Sequence, residues 1–188
     1  MILFRINIQG FGQGEKRMTG NDVELIRKML RKQAKLDKAI MEEYGLEELD
    51  GEKLNLAILD EIGECNHNLK SNWCWWKKTQ PPVDKEKVLE ELADVWHFVL
   101  IWQNHFNDGE DGLGSAPDVK KRVQQQCNLM HRIDNALIYE FIQLVSYPFY
   151  RIESLIAITE YLGFTVEQVY EAYCKKNKVN YQRLENGY

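Results

Sequence analysis

Two pairs of acids carry the chemistry that can be read first. Glu61 and Glu64 are three residues apart, and so are Glu91 and Asp94. On a helix that spacing places both members of a pair on the same side, roughly 4.5 Å apart along the axis. Stepping about 100° per residue, Glu61 falls inside the apolar stripe of Leu54, Ile58, Cys65 and Leu69, and Glu64 sits at its rim. Glu91 and Asp94 run along the edge of a second stripe, Val88, Leu92, Val95 and Val99. A single such pair is ordinarily held by lysine or arginine. Two pairs at the margins of apolar faces bring four carboxylates together if the helices pack, and like charges beside an apolar core need a positive partner. A hard divalent cation with oxygen ligands fits that need.

Two further groups accompany the acids. Trp73, Trp75 and Trp76 stand beside Lys77 and Lys78, in a loop that Pro81 and Pro82 keep from being helical. Tryptophans are usually buried, and at least one of these serves only as an anchor. The others would make a planar wall for a base, with a lysine for phosphate. Near the end of the chain Lys176, Asn180 and Arg183 are spaced i, i+4, i+7 and form one cationic stripe. Cations late in a helix complement its dipole without any ligand. Opposite a carboxylate-bound metal, the same stripe suits a polyphosphate.

The elements that must position these groups are helices. The pattern predicts helices from Asn21 or Asp22 to Tyr44, Gly51 to Lys70, Asp84 to Asn104, Asp118 to Val145, Tyr150 to Tyr161 and Val166 to Arg183. Gln33 and Asp37 share a face of the first. The fold class is therefore all-α, a bundle of about six helices. Residues 1–20 read as an N-terminal extension of unclear role, and residues 21–188 as one domain. At 188 residues and 44% hydrophobic composition the chain can bury a real core. A net charge of -5 leaves no electrostatic footprint for nucleic acid. No apolar run is long enough to span a membrane, and the first residues lack the pattern of a signal peptide. The cysteines, Cys65, Cys74, Cys127 and Cys174, form no zinc-like grouping, which fits reduced thiols in a cytoplasm.

In four blocks the chain resembles the all-α, dimeric dUTPases (dUTP diphosphatases) of the MazG-like superfamily of nucleotide pyrophosphohydrolases. They are Glu61 with Glu64, the W-x-W-W-K run from Trp73 to Lys77, Glu91 with Asp94, and the C-terminal set Lys176, Asn177, Asn180, Arg183, Gly187 and Tyr188. The acid pairs alone indicate the superfamily, whereas the aromatic and C-terminal blocks in this order are more specific. The resemblance implies Mg²⁺-dependent hydrolysis of dUTP, and of dUDP, to dUMP by a homodimer. It implies Glu61, Glu64, Glu91 and Asp94 as ligands of two or more ions, with one glutamate activating water. Glu61, the most enclosed by apolar neighbours, is the expected base. Gln33 is implied to read the uracil edge and Trp73 to line its pocket. Lys176, Asn180 and Arg183 are implied to hold phosphates, and Tyr188 to close over the sugar; Lys77 is the candidate for the loop lysine read above from the aromatic run. Leu184 departs from the glutamine that is common there. A sister enzyme acting on dCTP, or a non-catalytic nucleotide-binding bundle, are the alternative readings.

Overall fold

The computed structural model describes residues 18–107, 113, 115–130 and 136–187. Among them are eight α-helices and one 3-10 turn at Pro148–Tyr150, with no strand. Most of the 1–20 extension, much of the 107–117 loop and Tyr188 lie outside the described residues.

Helix α1 spans Gly20–Tyr44. Thr19, not Asn21 or Asp22, is its N-cap. The Thr19 side chain accepts from the Asp22 N–H at 3.2 Å, and the Asp22 carboxylate accepts from the Thr19 N–H at 2.7 Å. Asp22 is thus the third helical residue of a capping box rather than the cap itself. Val23, Ile26, Leu30, Gln33 and Asp37 lie three or four apart and are all buried, so the inward stripe turns polar halfway along the helix. Gly45 ends α1 at φ 62°, a left-handed conformation that glycine adopts without strain.

Helix α2 spans Gly51–Asn68 and α4 spans Lys85–Phe106. Asp50 and Asp84 cap them, each accepting from two backbone N–H groups of the first turn. Between them lies the four-residue α3, Lys70–Trp73. Helix α4 is buried without interruption from Leu92 to His97, because α1, α2, α7 and α8 all pack around it. Trp96 is fully buried there, and its indole N–H donates to the Thr159 hydroxyl at 3.2 Å.

The expected single helix from Asp118 to Val145 is two helices, α5 (Ala116–Met130) and α6 (Ala136–Ser146). They lie side by side, since the Gln126 amide donates to Glu140 at 2.6 Å. One straight helix would hold residues so spaced about 21 Å apart. Both pack on α7 (Arg151–Tyr161), which is buried at every position from Arg151 to Thr159. Arg151 ties this layer to α2. Its guanidinium donates to the Leu144 and Val145 carbonyls that α6 leaves open, and to the Asn55 side chain. Helix α8 (Val166–Glu185) starts from a Thr165–Gln168 capping box and returns along α1 and α4.

Candidate active site

Packing of α2 on α4 brings the two acid pairs together. Glu61, Glu64 and Glu91 each offer an oxygen, and these oxygens lie within 4.8 Å of one another. Among the described residues none of the three is paired with a lysine or arginine. Glu91 accepts one bond from the Asn68 amide at 3.3 Å. Asp94, one turn along α4, is more deeply buried and takes a different partner. The Lys176 ammonium of α8 donates to its Oδ2 at 2.5 Å. The fourth acid thus stands beside the trio, already bridged to the cationic stripe.

The electrostatics follow from burial and crowding. Burial is the largest cause that pushes the Glu61 carboxyl up to about 7; Asp94 and Glu64 push the same way, and Lys176 opposes them. Burial also raises Glu91, helped by Glu64 and Asp94. Asp94 is raised by burial even though the Lys176 bond and the charges of Lys176 and Arg183 pull it down. Like-charged carboxyls that resist ionisation until a cation arrives are the donor set of a divalent site. Three converging oxygen donors with no protein cation between them fit such an ion.

The cationic stripe faces this cluster in part. Lys176 is in contact, and Arg183 is near enough to stabilise the Asp94 charge. Asn180, on the same face of α8, is half-buried. Tyr188 lies outside the described residues, directly after Gly187, whose φ is 70°.

Gln33 lies elsewhere, in a buried polar layer. Its Oε1 accepts from the Tyr173 hydroxyl at 2.9 Å and lies 2.7 Å from His97 Nδ1. Its amide nitrogen donates to Asp37 at 2.6 Å. His97 stacks on Tyr173 with ring centroids 4.2 Å apart, and the Asn177 amide donates to the Tyr173 hydroxyl. His97 follows Asp94 by one turn of α4, and Tyr173 precedes Lys176 by one turn of α8. This layer therefore lies directly against the Asp94–Lys176 pair. Neither His97 nor Tyr173 stood out as a candidate in the sequence, and Asn177 entered only as a member of the C-terminal block, with no role of its own. Asp94-x-x-His97 on one helix face is the signal that could have pointed to the first.

Trp73 is half-buried and its indole N–H donates to the Asn66 carbonyl at 3.0 Å. That pins the aromatic loop to the turn of α2 just after Glu64. Its ring lines an apolar groove of about 580 Å³ between α2 and α6, with Leu59, Ile62, Phe141 and Ile142. Neither Gln33 nor any of the four acids lines that groove. Trp75, Trp76 and Lys77 are exposed. Among the described residues no helix is long and apolar enough to cross a membrane.

A family model described as dUTPase matches residues 25–188, from the second turn of α1 to the end of the chain. No individual curated protein matches.

Proposed function

We propose, for a chain that belongs to the dUTPase family and hydrolyses dUTP, that the reaction depends on Mg²⁺ and yields dUMP from dUTP and dUDP alike. The observation that carries this reading is the trio Glu61, Glu64 and Glu91, with oxygens within 4.8 Å and no protein cation between them. When bound there, Mg²⁺ supplies charge neutralisation on the phosphate chain and makes a coordinated water more acidic. Glu61 takes the proton of the attacking water. In the metal-free protein burial, with Asp94 and Glu64, pushes its carboxyl up to about 7, which marks it as the acid most inclined to take a proton. Lys176 holds Asp94 in the free protein and donates to phosphate oxygens when the substrate arrives. Arg183 and Asn180 extend the same cationic face along the phosphate chain. Trp73 and Lys77 form the loop side of the site, supported by the bond that fixes Trp73 next to the Glu64 turn.

The chain works as a homodimer in this reading. Leu59, Ile138 and Ile142 line the groove between α2 and α6 and are 52%, 56% and 56% exposed. Three such residues around one apolar groove support a face that a second copy covers.

The test is release of phosphate or pyrophosphate from dUTP, dUDP, dCTP and dTTP, each with Mg²⁺ and with EDTA. dUTP and dUDP should turn over only with the metal, and dCTP and dTTP poorly. Turnover in EDTA would remove the metal from the mechanism, and equal turnover of dCTP would remove the uracil preference. Arg183→Ala should lower kcat/KM for dUTP by about tenfold or more, through lost charge-assisted bonds to phosphate.

A further inference from the structure

We propose that Asn68 is a positioning residue of the acid trio: its side-chain amide sets the rotation of the Glu91 carboxylate and so fits the site to a small octahedral ion. The proposal rests on the reading of Glu61, Glu64 and Glu91 as metal ligands and concerns what selects the ion.

Asn68 shares a face of α2 with the two acids of that helix, since positions 61, 64 and 68 are spaced i, i+3, i+7. It is the last residue of α2, and its amide nitrogen makes two bonds. One is to the backbone carbonyl of Glu64, a turn earlier, at 3.3 Å. The other crosses to α4 and reaches Oε1 of Glu91, also at 3.3 Å. A single amide thus joins the backbone of one acid to the side chain of another on a different helix. Its orientation is fixed, because both neighbours are acceptors. Turned over, Oδ1 would face a carbonyl oxygen and a carboxylate.

The amide is itself held in place. Cys65 and Leu69, in the same turn, are buried in the core. The Asn66 carbonyl accepts from the Leu69 N–H at 3.2 Å and from the Trp73 indole at 3.0 Å. The end of α2 is therefore clamped by the core on one side and by the aromatic loop on another. A side chain on a turn so fixed can orient its neighbour.

Glu91 needs orienting. The terminal torsion of a glutamate is broad and nearly two-fold, so the backbone alone does not set it. Glu91 is half-buried, and like charges on Glu61 and Glu64 favour a carboxylate turned away from them. The bond to Oε1 opposes that turn and leaves the remaining lone pairs for an ion. An amide does this without bringing a charge, so it does not take the place of the cation. Lys176 on Asp94 is the contrasting case, a cation already in contact with its acid.

The consequence is ion selectivity. Mg²⁺ demands near-ideal octahedral geometry, whereas Ca²⁺ accepts more oxygens in looser arrangements. A carboxylate held in one rotation serves the first, and a freely turning one still serves the second. Loss of the Asn68 amide should therefore weaken Mg²⁺ binding more than Ca²⁺ binding.

The experiment is calorimetric titration of the full-length chain, without nucleotide, with MgCl₂ and with CaCl₂. The variants are Asn68→Leu, which keeps the volume and removes both donors, and Asn68→Gln, which keeps the amide on a longer stem. Asn68→Leu should weaken Mg²⁺ by about tenfold and Ca²⁺ by less than about threefold, with a cooperative melting curve in EDTA. Asn68→Gln should keep an Mg²⁺-to-Ca²⁺ affinity ratio nearer to the wild-type value. Asn68→Ala removes the donors without adding bulk and gives the same comparison where the leucine variant misfolds. Equal loss of both ions overturns the proposal and leaves Asn68 a merely structural role. An unchanged Mg²⁺ affinity overturns it too, as does a ratio in Asn68→Gln as low as in Asn68→Leu. A wild-type chain that binds neither ion would instead overturn the metal reading, which keeps the two failures apart.

Discussion

Glu61 holds the conflict on which the site is built. In the unfolded chain its carboxyl titrates near 4.5, and in the folded protein burial and then Asp94 and Glu64 move it to about 7. Between these values the folded form binds more protons than the unfolded one, so metal-free stability falls as pH rises through that window. Glu91 and Asp94 are raised as well and act with the same sign. Urea unfolding in EDTA should therefore show the local cluster stabilising the fold at about pH 5 relative to about pH 7.5, and Mg²⁺ should offset the loss at the higher pH. Glu61→Gln should flatten that pH dependence and leave metal-free stability unchanged or raised, while kcat falls by roughly 10²–10⁴. A drop in metal-free stability at neutral pH would mean that Glu61 serves a structural ion pair. The acids were legible in the sequence because two helical periodicities placed them beside apolar stripes. The Asp94–Lys176 pair was not, since Lys176 lies 82 residues later and only the return of α8 along α4 brings it in. His97 and Tyr173 were missed, and Asn177 was named without a role, for a related reason. Each is polar on its own helix, and only the packing of three helices makes their bonding mutual.

At the scale of the elements, α4 is central, because one helix presents Glu91 to α2, Asp94 to Lys176 of α8 and Trp96 to α7. Trp96 is fully buried against α7 and bonded to Thr159, which itself donates to the Leu155 carbonyl at 2.7 Å. Trp96→Ala should cost about 3–5 kcal/mol by urea denaturation, from lost burial and the cavity left behind. Trp96→Phe should cost clearly less, since Thr159 keeps its backbone partner. Equal losses would mean that the indole bond, not the packed volume, holds α4 to α7. Helix existence was readable at this scale because Gly45, Asp50, Asp84 and Thr165 are chemically distinct boundaries. The start of α1 was misplaced because Thr19, Asn21 and Asp22 are all cap formers, and the reciprocal Thr19–Asp22 bonds select among them. The division into α5 and α6 was hidden by an apolar pattern that continues on both sides of residues 131–135. The packing of α5 on α6 and the Gln126–Glu140 bond between them reveal that the two helices lie against each other.

The whole molecule leaves an apolar face that its own core does not use. Leu56, Leu59, Ile138, Ile142 and Phe149 are each more than half exposed. Leu59, Ile138 and Ile142 surround the groove between α2 and α6. Covering side chains of this kind is worth on the order of 1 kcal/mol apiece when half of each is already buried. Such a sum must outweigh the lost freedom of two molecules, so a stable assembly needs the groove filled as well as the rim covered. A second copy supplies the same face and meets its mirror requirement under two-fold symmetry. Sedimentation should accordingly give about twice the 22.2 kDa chain mass. Ile142→Glu puts a charge into this face while leaving every residue of the acid cluster in place. It should shift the protein to the mass of one chain, with little change in the free chain's helicity, because Ile142 is 56% exposed to begin with. Mg²⁺ should still raise the melting temperature of the Ile142→Glu chain if the trio on α2 and α4 binds the ion within one protomer. Loss of that rise together with the dimer would place the metal site under the control of the partner copy. A wild-type chain that sediments as a monomer would leave the exposed face without the occupant assigned to it.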